Sequence, residues 1–109
     1  GKLTATGHLG DNASVEDGYE QAKICAINLI AQVKAACDGD LDRVVRVVKL
    51  GGFVASTPDF TQQPAVVNGA SDLIVAAFGD AGKHARFAVG SSVLPLGCLV
   101  EVDGVFEIS

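Results

Sequence analysis

Apolar side chains in the last quarter of this chain recur at every second position, twice in succession. Ala85–Val93 alternates and so does Cys98–Ile108, with Leu94-Pro95-Leu96-Gly97 connecting them. Period two marks a strand whose two faces meet different surroundings. Two such strands need a cover for their apolar faces, and the earlier sequence supplies one. Val15, Tyr19, Ala22, Ala26, Leu29, Ile30, Val33 and Cys37 recur at steps of mainly three and four, the spacing of one helix face. Ser14 with Asp17 resembles a capping box, with Asp in place of the usual Glu. Asp38-Gly39-Asp40 closes the stretch. The pattern predicts a helix from about Ser14 to Cys37, some six turns long.

Between these features lie one more strand and one more helix. Val44, Val45, Val47, Val48 and Val54 predict a strand from about Val44 to Val54, with a bulge or bend expected near Gly51-Gly52. Ser56-Thr57-Pro58-Asp59 reads as a loop. Val66 or Val67, Ala70, Leu73, Ile74, Ala77 and Phe78 form a second helical stripe. Pro64 suits its first turn, and Gly79 and Gly82 its end. At the front, Lys2–His8 alternates weakly, as a short strand or the end of a hairpin would, and Gly10, Asp11 and Asn12 are turn residues. Strand, helix, strand, helix, strand, strand predicts an α+β sandwich of two layers, a mixed sheet with two helices on one face.

Composition narrows the function. At 109 residues and 49% hydrophobic, residues 1–109 make one domain with a real core. No apolar run approaches the ~18 residues of a membrane helix. Eight basic against thirteen acidic residues give a net charge of −5, which disfavours a general nucleic-acid binder. Cys25, Cys37 and Cys98 are odd in number and form no CxxC, so they read as small buried hydrophobes in a reducing cytoplasm. His8 and His84 stand far apart in sequence, and neither a metal nor a cofactor is assigned. Residue 1 is Gly and the sequence holds no Met, so a native start is not expected at this point.

By parity, Phe87, Val89, Ser91 and Val93 share one face of the first closing strand, and Arg86, Ala88, Gly90 and Ser92 the other. In the second, Cys98, Val100, Val102, Gly104, Phe106 and Ile108 form the apolar face. Leu99, Glu101, Asp103, Val105 and Glu107 lie opposite. The two apolar faces are expected against the helices. The remaining face mixes Arg86, Glu101 and Asp103 with Ala88, Gly90, Leu99 and Val105. Either a partner subunit covers it, with charges at the rim or in a pocket, or it is a solvated face with scattered charges.

His84-Ala85-Arg86-Phe87-Ala88-Val89-Gly90, then Leu94-Pro95-Leu96-Gly97, then Val100-Glu101-Val102, resembles the C-terminal signature of the YjgF/RidA family. Asp59-Phe60 with Asn68 resembles that family's segment before its second helix. Asp42-Arg43-Val44-Val45-Arg46-Val47 resembles its usual strand opening. The resemblance runs from about Gly10 to Ile108. It implies a chorismate-mutase-like fold and a homotrimer, with sheets packed face to face around a barrel and three clefts between subunits. Members run longer at the front, so the N-terminal strand or strands, and the aromatic and Ser/Gly cleft residues they carry, are expected to be missing here.

The resemblance also implies chemistry. Arg86 would bind the carboxylate of a small 2-imino or 2-amino acid, which a planar guanidinium fork meets with two parallel hydrogen bonds. Glu101 would hold or activate the attacking water. Asn68 and Ala88 would shape the cleft, Ala88 where deaminases of the family often carry Cys. The reaction is hydrolysis of reactive 2-aminoacrylate-type enamines or imines to 2-keto acids and ammonia. Each residue also has a structural alternative: Arg86 bridged to Glu101 or Asp103, Glu101 as that partner only, Asn68 ordering a loop, His84 as a loop histidine, Tyr19 in the core. Two other functions compete: a non-catalytic trimer binding small carboxylates or a protein partner, and the ribonuclease or translation-inhibitor activity with which parts of the family are labelled. The net charge ranks the last of these third.

Overall fold

In the computed structural model, which describes residues 6–109, the long helical stripe becomes α1 (Val15–Ala36). Its start is fixed by a full capping box. The Asp17 backbone N–H donates to Ser14 Oγ at 3.1 Å, and the Ser14 N–H donates to Asp17 Oδ2 at 3.1 Å. Its end turns through Asp38 and Gly39, both at positive φ. Then follow β1 (Val44–Ala55), α2 (Gln63–Phe78), β2 (Ala85–Ser91) and β3 (Val100–Ile108), joined in part by short 3₁₀ turns. Pro64 opens α2 and Gly79, at φ 61°, ends it. The front segment predicted over Lys2–His8 lies mostly outside the described residues. From Thr6 on, the chain makes isolated bridges: Thr6 with Cys98, and Leu9 with Ala13 and Ser56.

The sheet has the order β2-β1-β3. β1 runs parallel to β2, from Lys49 opposite Ala85 to Ala55 opposite Ser91. It runs antiparallel to β3, from Val44 opposite Ile108 to Val54 opposite Val100. The two closing strands therefore never pair with each other. Both helices cover one face, with α1 against α2 and β3, and α2 against β1 and β2. The core is Leu9, Ala22, Ala26, Val47, Leu50, Val54, Val66, Val67, Ala70, Ile74, Leu99 and Val100.

Three sequence expectations need correction. The irregularities of β1 fall between Val44 and Arg46 and between Val47 and Lys49, not at Gly51-Gly52. The second lets Val47 and Leu50, three apart, both bury on the helix side. Gly51 and Gly52 run straight through the ladder, and neither has room for a side chain. A Cβ on Gly52 would stand 2.5 Å from Val67 Cγ2 of α2, and one on Gly51 would meet Phe87 and Asp103. Leu99, expected on the outer face, belongs to the core.

The third correction concerns β2. Its helix-facing side carries Arg86, Ala88 and Gly90. Arg86 reaches Ser71 of α2, Ala88 packs on the core, and a Cβ on Gly90 would meet Ser56 Oγ and the Gln63 amide. Phe87 and Val89 point the other way, Phe87 in an edge-to-face pair with Phe53 at 5.3 Å. The parity was right and the choice of face inverted, because α2 lies too close over this strand to admit Phe and Val. For β3 the expected face holds: Val100, Val102 and Phe106 pack on the core. The uncovered sheet face thus carries Phe53, Phe87, Val89 and Val105 among Lys49, Glu101 and Asp103.

The helix pair has no slack. Gly69 of α2 lies against α1 so closely that a Cβ there would run into the Tyr19 carbonyl oxygen, a backbone atom that cannot turn aside. Gly69→Ala is expected to destabilise the chain by about 1–3 kcal/mol, a fall in Tm of roughly 5–20 °C. Thermal unfolding followed by circular dichroism reads this directly, and an unchanged midpoint would show that the helices tolerate wider spacing.

Candidate functional site

Arg86 sits second in β2, half-buried, with its side chain laid across α2. NH1 donates to Ser71 Oγ at 3.1 Å and NH2 to the Pro64 carbonyl at 3.4 Å. Both acceptors are neutral. The ion pairs among the described residues are Arg43–Asp38, Arg46–Glu107 and Lys83–Asp80, and none includes Arg86. The structural bridge to Glu101 or Asp103 is therefore absent. Asn68 lies four residues after Pro64 and three before Ser71, on the same stripe of α2, and it is exposed. It sits within the helix, not in a loop before it. Ala88 follows Arg86 on the same face of β2. Three of the four sequence-derived site residues thus share one locus.

Glu101 does not. It lies on β3, opposite Phe53 of β1, on the uncovered face of the sheet. Arg86 lies opposite Leu50. The two residues are separated by the whole of β1, about 10 Å laterally, and by the three-residue offset from Leu50 to Phe53, about 10 Å more along the strands. They also point to opposite faces. One substrate of a few heavy atoms cannot touch both side chains within a single chain. Among the described residues they lie on the two outer strands of the three-stranded sheet.

Two concavities flank these loci. One, of about 530 Å³, opens at the C-terminal ends of the parallel pair β1 and β2 and is lined by His8, Ser56, Phe60, Gln63, Gly90 and Ser91, among others. The row Arg86, Ala88, Gly90 runs toward it. Ser56 is buried, donates to the Val54 carbonyl at 3.1 Å and lies 3.4 Å from Gln63 Nε2. The other, of about 410 Å³, lies in the seam of α1 and β3 and contains Glu101, Cys25, Asn28 and Gln32. Burial pushes the Cys25 thiol up, helped by the nearby Cys98 and Glu101. Cys98 is raised as well, by burial first and then Glu101. Neither is a ready thiolate. Among the described residues no group of His, Cys, Asp and Glu could hold a metal ion, and no helix is long and apolar enough to cross a membrane.

Sequence reasoning missed Ser71 and His84 as neighbours of Arg86. His84 lies in the loop before β2, as expected, and its Nε2 is 2.9 Å from Ser71 Oγ and its Nδ1 2.6 Å from the Gly82 carbonyl. Ser71 offered only one signal, a hydroxyl beside an apolar helix stripe. Tyr19, expected in the core, is half-buried and donates its hydroxyl to Asp72 Oδ2 at 2.9 Å. That bond, then burial, raises its pKa.

The described residues form a two-layer α+β unit with an arginine held by neutral acceptors on one outer strand and an exposed carboxylate on the other. The chain belongs to the family described as YjgF/chorismate mutase-like, putative endoribonuclease, which matches residues 1–108. It is 52% identical over 105 residues to Protein TCP17 of Trypanosoma cruzi, covering 95% of this chain and 65% of that protein. The chain therefore spans about two thirds of that relative's length. Among solved structures it is similar to the protein Atu1372 of Agrobacterium tumefaciens, of unknown function, with TM-score 0.98, 49% identity, and 100% of this chain and 69% of that one covered. It is also similar to a putative endoribonuclease of Shewanella oneidensis, with TM-score 0.88, 37% identity, and 94% and 67% covered.

One titration follows from the rim of the larger concavity. Thr57 Oγ1 donates to Asp59 Oδ1 at 2.6 Å. That bond, then the Asp59 backbone N–H, holds the Asp59 carboxyl below its usual range. A lowered folded-state value means that the bond stabilises the chain above the ordinary carboxylate range and ceases to as pH falls through the lowered value. Thr57→Val should raise the Asp59 midpoint, read from its carboxyl carbon shift across an acid titration. An unmoved midpoint would assign the effect to the backbone alone.

Proposed function

We propose that the chain is a subunit of a homotrimeric enamine/imine deaminase, with Arg86 of one copy and Glu101 of the next facing one small 2-imino acid. The observation that carries this reading is Arg86 itself: a half-buried guanidinium held by neutral acceptors only, with no carboxylate partner among the described residues. A cation so placed is completed by an anionic ligand. The opposite-edge placement of Glu101 supports a site shared between copies. The apolar uncovered face, with Val89 43% and Val105 56% exposed, supports the burial of that face in an assembly.

The chemistry asks little of the protein. Arg86 orients the carboxylate, and the Glu101 carboxylate takes a proton from a water as its oxygen adds to the C=N carbon. The tetrahedral adduct then breaks its C–N bond. The nitrogen leaves as ammonia with the protons the water supplied, and a 2-keto acid remains. Atoms balance with water as the only co-substrate. A trimer that binds small carboxylates without turnover rests on the same arginine. The description of the family and of the Shewanella relative points instead to RNA cleavage. The charge of −5, and the pairing of Arg43, Arg46 and Lys83 with carboxylates, argue against a phosphate-tracking surface.

Freshly generated 2-aminoacrylate, with pyruvate formation followed against the uncatalysed background, tests the reading. Arg86→Lys keeps the charge and loses the fork, and should cost about 10–100-fold in kcat/KM. Glu101→Gln should lower kcat by roughly 10²-fold or more. Arg86→Ala at the wild-type rate would overturn the assignment. Folded protein that binds pyruvate without accelerating the reaction would select the binding protein. Light scattering should give three times the chain mass, and a monomer at micromolar concentration would remove the shared site.

A further inference from the structure

Arg86 does not stand alone on α2. It ends a chain of hydrogen bonds whose other end is a backbone carbonyl locked by packing. Gly82 is buried in the 3₁₀ turn Gly79–Gly82, so close to α2 that a Cβ on it would stand 2.7 Å from the Ile74 carbonyl oxygen. Its own carbonyl lies 2.6 Å from His84 Nδ1. A carbonyl only accepts, so Nδ1 carries the proton. In the neutral ring Nε2 is then an acceptor, and it lies 2.9 Å from Ser71 Oγ. The Ser71 hydroxyl donates there, which turns its lone pairs toward Arg86 NH1 at 3.1 Å. With the ring neutral each group has one role left to it: Arg86 donates to Ser71, Ser71 to His84, and His84 to the Gly82 carbonyl.

We infer that Ser71 and His84 are positioning residues for the Arg86 guanidinium, fixing its plane before a carboxylate arrives. Of the five N–H donors of a guanidinium, Ser71 and the Pro64 carbonyl occupy one each, on NH1 and NH2. The others remain for the ligand. Without the Ser71 contact the long side chain samples many rotamers, and binding must order it at the expense of affinity. His84 acts one step further back. It removes the rotational freedom of the Ser71 hydroxyl, and its own ring is fixed by Gly82. The three residues come from different elements, α2, the connection before β2, and β2 itself, so the series also ties the edge strand to the helix at the site.

This inference rests on the reading that Arg86 binds a carboxylate, and the test separates the two. The full chain carrying Ser71→Ala, Ser71→Thr, His84→Gln, His84→Asn or Arg86→Ala is titrated with pyruvate by calorimetry and assayed on 2-aminoacrylate, with the fold checked by circular dichroism. Ser71→Ala is expected to weaken pyruvate about tenfold and to raise KM by a similar factor with kcat nearly unchanged, the mark of lost binding rather than lost chemistry. Ser71→Thr keeps the hydroxyl and should restore affinity. Gln places its amide near the position of Nε2 and can still meet Ser71. Asn reaches only toward Gly82. His84→Gln should therefore bind more tightly than His84→Asn, a contrast that a purely structural role would not produce. Equal affinity for those two, or wild-type affinity in Ser71→Ala while Arg86→Ala abolishes binding, would overturn the positioning role and leave the deaminase reading standing. Undiminished binding in Arg86→Ala would overturn both. If Ser71→Ala does not fold, the His84 pair decides.

Discussion

The close approach of α1 and α2 is the constraint from which the rest of the structure follows. Gly69 against the Tyr19 carbonyl, and Gly18 against Val66, bring the two helix backbones together at a distance that no larger residue would permit. With α1 held there, α2 comes down over β1 and β2, and Gly52 clears the space for Val67. The same closeness decides what β2 can present to α2: Ala88, Gly90 and a single long side chain that escapes along the helix surface. Arg86 lies where it does because two helices and a strand leave it no other route. The helix pair thus both brings Ala22, Ala26, Val66, Val67, Ala70 and Ile74 into the core and aims the candidate ligand-binding group.

The protein keeps its two charged groups of interest on opposite margins. Arg86 is fixed, half-buried and supported through Ser71 and His84, whereas Glu101 is exposed on the far edge strand. A binding group gains from being held before the ligand arrives, because ordering it afterward costs affinity. On the proposed reading, Glu101 handles water and can stay solvated until a neighbour closes over it. On that same reading, the apolar residues of the uncovered face, Phe53, Phe87, Val89 and Val105, are what a second copy would bury.

Much of this was legible from residue order. The capping box at Ser14 and Asp17 and the three-and-four spacing through Cys37 located α1 to within a residue at each end, because both signals are local. Pro64 and Gly79 did the same for α2. The face of β2 was not legible from hydrophobicity, because the helix side of an edge strand can select for smallness rather than for apolar bulk. The irregularities of β1 were hidden in a run of valines that offers no alternation to break. Arg86, Asn68, Ala88 and Glu101 were reached through a family resemblance. Their division into a cluster of three and a distant fourth depends on β1 lying between β2 and β3, which spacing along the chain does not encode. Ser71 and His84 were invisible for a related reason: a helix residue and a connection residue meet only once the fold is made.

The strand order has a consequence for how the chain reaches this state. Each pairing in the sheet joins segments distant in sequence: Lys49 with Ala85 across the whole of α2, and Val44 with Ile108 across everything after it. Among the described residues no pair of strands is linked by a tight turn, so β1, β2 and β3 form no local hairpin with one another. Loop-closure entropy must be met before any ladder bond is gained. The helices have local contacts to start from, and the sheet has none. Each helix can form from its own local contacts, but the docking of Gly69 on Tyr19 is as long-range as the strand pairings, so the helix layer and the sheet are tied to the same late closures.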